Sequence, residues 1–317
     1  ILATILKQIL DKNKISQKQL HEVKKIIKKI KKFHEWFIKF RDPKKTGLVS
    51  ILHPWESGYD NSPIWDSPMN KVIVEKNLKY KRADNKVVNP AHRPLDIDYD
   101  RYVTIKNNLR KSKYNPKKVF KSSLFNVVDV GFNSLFLKAN KDLIVLLNKF
   151  NLDKLKINRY VKITEKNLLK LYDKKKGIFF SKDIKNNRRI NVPSITNYFV
   201  LFADLENNLI NKKLIQNLKK HNLRDKYFFS SIKSNHESFE EKRYWRGPVW
   251  INCNWFLYMG LKNKNKLFSE KIKKKTIQLI EKKGFYEYFS CKNGKPMGAK
   301  NFSWSAALYL DLKLNKN

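Results

Sequence analysis

Three carboxylates, two indoles, a glycine and two prolines fall within fourteen residues, His53-Pro54-Trp55-Glu56-Ser57-Gly58-Tyr59-Asp60-Asn61-Ser62-Pro63-Ile64-Trp65-Asp66. The segment is too polar for a core and too aromatic for a linker. Aromatic faces stack on sugar rings and carboxylates move protons, and cleavage of a glycosidic bond needs both. An indole wall beside a carboxyl group desolvates its charged form and raises its pKa, as a proton donor at neutral pH requires. Glu56, Asp60 and Asp66 are equal candidates for that role. Helix capping or pairing with lysine would employ the same three groups. Gly58 and Pro63 make the segment turn-rich, so the carboxylates need not share a face.

Tryptophan marks two further blocks. Six of the seven, all but Trp36, lie either in 53–66, in 244–255 or in 284–304. In Tyr244-Trp245-Arg246-Gly247-Pro248-Val249-Trp250, Pro248 suits the first turn of a helix, which would place Tyr244, Trp245 and Arg246 at its mouth and Trp250 in its first turn. Arg246 could bind a ligand hydroxyl or carboxylate, or orient a catalytic carboxylate. Trp255 reads better as core. In the third block Glu287 stands among Phe285, Tyr286, Tyr288 and Phe289. It is either a general base activating water or a buried acceptor for Tyr or Arg donors. Arg93, in Arg93-Pro94-Leu95-Asp96, faces the same cleft on this reading, and Asp96 reads as a helix N-cap.

The remaining composition narrows the classes of function. The 317-residue chain is 41% hydrophobic and carries a formal charge of +41, yet only 11 of its 69 basic residues are Arg. The lysines are spread along nearly every segment, as on a solvated surface, so neither a specific nucleic-acid partner nor a membrane is indicated. Six scattered histidines and two distant cysteines, Cys253 and Cys291, form no metal or disulfide pattern, and no cofactor is expected. No apolar run reaches the length of a membrane span and no signal sequence opens the chain, so a cytoplasmic location is the expectation. Oligomeric state is not legible.

The elements that must position these blocks are mostly helices. Ser16 and Gln19 form a capping box ahead of an apolar stripe, Leu20, Val23, Ile27, Ile30, His34 and Phe37, and Asp42-Pro43 ends that helix. Helical spacing predicts further helices over 70–80, 96–110, 129–149, 154–172, 194–208, 210–221, 247–262, 265–282 and 302–313. Long loops over 43–69, 81–95, 111–127, 223–246 and 284–301 are expected to carry function, and a short hairpin is expected within 177–190. With no internal repeat or linker, residues 1–317 read as one domain. Paired helices with functional loops gathered at one end suggest an all-α toroid.

These motifs together resemble the catalytic domain of glycoside hydrolase family 63, in its mannosylglycerate hydrolase-like and bacterial glucosidase-like branch. HPWESGYDNSPIWD at 53–66, RPLDIDYDRY at 93–102, YWRGPVWINCNWFLYMGL at 244–261 and GFYEYFSCKNGKPMGAKNFSWSAALYLDL at 284–312 carry the resemblance, which extends over essentially the whole chain. It implies a six-hairpin (α/α)6 barrel and inverting, exo-acting hydrolysis of α-glucosides or α-mannosides, with a small saccharide or glycosylated solute as substrate. By position, Asp60 would be the general acid and Glu287 the general base. Trp55, Tyr244, Trp245, Arg246 and Trp250 match positions lining the sugar subsite. Glu56, Ser57, Gly58, Arg93, Asn301 and Trp304 complete the expected binding set. Ile64 departs from the pattern, standing where relatives commonly carry Arg. Only fifty-two residues precede His53, so N-terminal helices of the barrel are expected to be missing. A chain so shortened could bind sugar without turning it over.

Overall fold

A computed structural model describes residues 1–86, 88–221 and 227–314. Eleven helices occur among them: α1 (Leu2–Lys12), α2 (Gln17–Arg41), the single turn α3 (Asp66–Met69), α4 (Asp96–Lys111), α5 (Pro116–Ser122), α6 (Val130–Lys149), α7 (Leu155–Leu168), α8 (Asn208–His221), α9 (Ile251–Leu261), α10 (Lys266–Lys283) and α11 (Ser303–Leu314). The capping box of α2 forms as its sequence requires: the Ser16 hydroxyl accepts from Gln19 N–H and the Gln19 carboxamide accepts from Ser16 N–H. Its far end stops where Asp42 turns inward to accept from Thr46 N–H, Gly47 N–H and the Tyr160 hydroxyl.

Two helices are apolar on most sides and therefore lie deep. Helix α6 buries Phe136, Leu137, Leu143, Leu146 and Leu147 against α1, α2, α7 and a 3-10 segment, Ile195–Leu201. Helix α9 buries Ile251, Cys253, Trp255, Leu257 and Tyr258 against the same 3-10 segment, α10 and α11. A fully buried Leu or Phe contributes about 1.5–3 kcal/mol, so these two helices anchor the fold. The functional blocks hang from their N-terminal ends: the 244–250 segment leads into α9, and Asp129 caps α6.

The chain is mostly helical but carries seven short strands among the described residues, so it is not strictly all-α. Strands β1 (Val127–Val128), β4 (Lys182–Asp183) and β5 (Arg188–Arg189) form one antiparallel sheet, and β2 (Tyr172–Asp173) pairs with β3 (Ile178–Phe179). The β4–β5 pair lies within the span where a hairpin was expected. Strands β6 (Tyr286–Phe289) and β7 (Pro296–Lys300) form a hairpin inside the expected loop 284–301.

Other expectations need correction. Residues 71–80 form no helix: Val72 packs inward while Ile73 is 89% exposed, so their apolar side chains do not share one helical face. Segment 194–208 is 3-10 over Ile195–Leu201 rather than a full helix, and the expected loop 111–127 holds α5, opened by Asn115 as cap and Pro116 at its first position. Leu95, not Asp96, is the N-cap of α4. Asp98 reaches back to accept from Leu95 N–H, and Asp96 pairs with Arg82. Pro248 precedes its helix, and Trp250 is the N-cap of α9. Part of the expected loop 223–246, residues 223–226, lies outside the described residues.

Candidate active site

The three blocks meet. Trp245 N–H donates to the Asn61 side-chain oxygen (3.0 Å), and the Arg246 guanidinium grips both Asp66 oxygens (2.8 and 2.9 Å), joining the second block to the first. Val249 and Phe289 exchange backbone hydrogen bonds (2.7 and 3.0 Å), and Trp250 and Tyr288 pack with ring centroids 5.0 Å apart, joining the second block to the third. Tyr244 N–H donates to the His92 carbonyl, which brings in the 81–95 loop and Arg93.

Glu287 is held at a kink in its hairpin. Tyr286 pairs with Lys300 and Tyr288 with Met297, so Glu287 alone faces Gly298 and Ala299, a β-bulge of the kind that re-aims a side chain. Arg93 clasps the Glu287 carboxylate through both terminal nitrogens (3.2 and 3.0 Å), and Ala299 N–H donates to Oε2 (3.0 Å). The Arg93 guanidinium also lies over the Tyr244 ring, 4.6 Å from its centroid. Gly298 adopts φ +73°, and a Cβ there would stand 2.5 Å from Glu287 Oε2. Gly298→Ala is therefore expected to displace this carboxylate and lower kcat about tenfold to a hundredfold in steady-state assays, since misplacement by an ångström costs that much.

Asp60 is held differently. Its backbone carbonyl accepts from the Tyr102 hydroxyl (2.9 Å), while burial pushes its carboxyl pKa up to about 7. The Arg93 guanidinium pulls against that rise, and the charges of Glu287 and Asp84 add to it. Burial, with Asp60 and Glu287 nearby, likewise raises the Tyr244 phenol and keeps it protonated. One carboxyl is thus poised to give a proton near neutrality, and a second is ion-paired close enough to be felt by the first. Acid and base catalysis need such a division.

The expected binding residues divide. Trp55 and Trp304, 42% and 47% exposed, keep ring surface open and line a cavity of about 490 Å³ with Ser57, Gly58, Tyr59 and Trp245. A larger cavity of about 820 Å³, around Asp204 and Asn265, touches none of the three blocks. Trp245 and Trp250 are stacked face to face at 3.8 Å and buried, so Trp250 supports Trp245 and is not itself a stacking platform.

Arg246 is not free for a ligand, because its guanidinium is committed to Asp66. Glu56 touches the cavity, but both its oxygens are engaged, by Arg41 (2.6 Å) and Leu52 N–H (2.8 Å). Glu56 and Asp66 are thus each paired with an arginine. Asn301 stands exposed at φ +57° between β7 and α11, outside the cavity lining. Ile64, 1% exposed, is core and offers nothing to a substrate. Trp255 is buried, with its indole N–H on Asp311. His53 is structural: its Nδ1 accepts from Trp55 N–H, so Nε2 donates to the Tyr102 carbonyl, and burial lowers its pKa to about 4.

Sequence reasoning missed several participants. Tyr99 and Tyr102, one helical turn apart on α4, pack around Trp55, and their spacing within 93–102 was the available signal. Asp84, bound to Arg82, adds its charge to the field felt by Asp60. Nothing local marks it.

Comparison with known proteins shows the family. A family model described as the mannosylglycerate hydrolase MGH1-like glycoside hydrolase domain matches residues 1–305. The mannosylglycerate hydrolase of Thermus thermophilus is 36% identical over 98% of this chain and 75% of its own length. The glucosylglycerate hydrolase of Mycolicibacterium hassiacum is 27% identical over 88% of this chain and 65% of its own. The crystal structure of the family 63 mannosylglycerate hydrolase from Thermus thermophilus, in complex with Tris and D-glycerate, superposes with a TM-score of 0.94 at 36% identity, covering 97% of this chain and 75% of that one.

Proposed function

Since the chain belongs to the mannosylglycerate hydrolase MGH1-like family of glycoside hydrolases, we propose that it cleaves an α-glycosylglycerate, mannosyl or glucosyl, with inversion at the anomeric carbon. Its helices form part of an (α/α)6 toroid, with the three blocks at one mouth. Asp60 protonates the glycosidic oxygen. Glu287, oriented by Arg93 and Ala299 N–H, takes a proton from water attacking the opposite face of the sugar. The product sugar therefore carries the inverted configuration.

The observation that carries this reading is the pairing of a carboxyl at about pKa 7 with an arginine-clasped carboxylate contributed from 227 positions away in sequence. Trp55 and Trp304 supply stacking surface for the sugar. Arg93 uses only its terminal nitrogens on Glu287, and its Nε has no protein acceptor among the described residues. Relatives named for mannosylglycerate and for glucosylglycerate frame the choice of sugar.

The test is to incubate the protein with α-mannosylglycerate, α-glucosylglycerate and the corresponding neutral methyl glycosides, following free glycerate and free sugar. Release of glycerate from at least one glycosylglycerate, faster than methanol from the neutral analogues, is expected. Equal rates on neutral and carboxylated substrates would remove glycerate from the proposal, and no release from any would remove the glycosidase reading.

A further inference from the structure

Asp129 is completely buried and is not fully explained by its place at the head of α6. A cap needs one side-chain oxygen on an early backbone N–H, and Oδ2 does accept from Phe132 N–H at 2.7 Å. That same Oδ2 also accepts from the Tyr59 hydroxyl, and Oδ1 accepts from the Ser181 hydroxyl at 2.7 Å. Tyr59 immediately precedes Asp60, and its ring is clamped between Trp65, stacked at 5.4 Å, and Trp245, edge-on at 5.8 Å. The phenol reaches α6 because residue 131 is glycine: a Cβ there would come within 2.7 Å of the Tyr59 hydroxyl.

We infer that Asp129 is a positioning residue for Asp60, acting through the Tyr59 phenol. This rests on the reading of Asp60 as the proton donor. Bonds from above hold segment 59–61: Trp65 Nε1 donates to the Tyr59 carbonyl (2.9 Å), the Tyr102 hydroxyl to the Asp60 carbonyl (2.9 Å) and Trp245 N–H to the Asn61 side chain (3.0 Å), while Tyr59 N–H donates to the Ser57 hydroxyl and Ser62 N–H to the Tyr59 carbonyl within the loop itself. Among the described residues no other side chain hydrogen-bonds the Asp60 carboxyl, which is held by its own backbone N–H. Its aim therefore depends on the backbone and on the Tyr59 anchor beneath, which ties the loop to one of the two deeply buried helices. Asp129 never touches substrate, and only the loop transmits its effect.

The anchor also excludes water. Asp60 is faced by Arg93 and Asp84 from the 81–95 loop, Tyr99 and Tyr102 from α4, Tyr244 from the segment before α9 and Glu287 from β6. Loosening the loop beneath this shell would hydrate the carboxyl and favour its charged form.

The test is a double-mutant cycle on Tyr59→Phe and Asp129→Asn, with kcat, KM and pH profiles on whichever glycosylglycerate is turned over. Each single variant is expected to lower kcat about tenfold with KM changed less than about twofold, because a small misplacement of the donor affects the chemical step. The double variant is expected to be no worse than the poorer single one, since both break one bond. The alkaline limb of the kcat profile should move to lower pH. Tyr59→Phe keeps the ring packing and carries the test alone if Asp129→Asn fails to fold. A folded Tyr59→Phe enzyme with normal kcat and an unmoved alkaline limb, or effects that multiply in the double variant, would overturn the inference. If Asp60→Asn retained turnover, the functional reading itself would fall; a Tyr59→Phe enzyme unaffected where Asp60→Asn is dead sinks only the anchor.

Discussion

Asp60→Asn is expected to lower kcat by about a thousandfold or more and, at the same time, to make the folded protein more stable above neutral pH. The activity loss follows from removing a general acid, a contribution of about 10²–10⁴-fold. The stability gain follows from linkage. Burial holds the folded-state pKa of Asp60 at about 7, against about 3.9 for an unfolded aspartate. A group whose folded pKa is raised supports the folded state fully below the unfolded pKa. That support is lost as pH rises through the interval between the two values, and above the folded pKa the loss is constant. Asparagine has no proton to lose, so the variant's advantage should grow between about pH 4 and 7 and then level off, at up to about 2–4 kcal/mol. Chemical denaturation of both proteins at pH 5 and pH 8 measures it. The same pKa sets the activity profile: kcat/KM of the unmodified enzyme should fall as pH rises through about 7, when the donor loses its proton.

Glu287→Gln should cost a similar factor in kcat but move stability the other way. Glu287 is 6% exposed and receives both terminal nitrogens of Arg93 as well as Ala299 N–H. Glutamine leaves a buried guanidinium facing a carboxamide that can accept fewer of these bonds. Breaking a buried ion pair on one side costs about 3–5 kcal/mol, because the surviving charge is uncompensated. The variant is expected to unfold at lower denaturant concentration at pH 7 while Asp60→Asn unfolds at higher. Opposite stability signs with equal loss of activity would distinguish a donor held neutral by burial from a base held in place by an arginine. A Glu287→Gln protein as stable as its parent would contradict the role given to Arg93.

Much of this site was legible because tryptophan is rare and here clustered: the three blocks chosen on that ground do meet. Caps were legible where the signal is local, as at Ser16 and Gln19. Pairing across the chain was not legible. Arg246 was open either to a ligand or to a carboxylate because its partner Asp66 lies 180 positions earlier. Glu56 could not be separated from Asp60 by residue chemistry because its partner Arg41 belongs to the preceding helix. Asp129 was not singled out at all, since its tie to Tyr59 spans 70 residues. The helix expected over 70–80 failed because apolar residues at helical spacing are equally served by an extended segment that buries only some of them. The β6–β7 bulge that aims Glu287 follows from Gly298, whose spacing gave no hint of the pairing register.

The assignment of Asp60 as donor and Glu287 as base to an attacking water has one direct readout. Proton NMR of the first turnover of an α-glycosylglycerate records which anomer leaves the enzyme before mutarotation mixes the two. The β-anomer appearing first, with the α-anomer growing in only at the rate of mutarotation, is the expected result. Initial release of the α-anomer would contradict it.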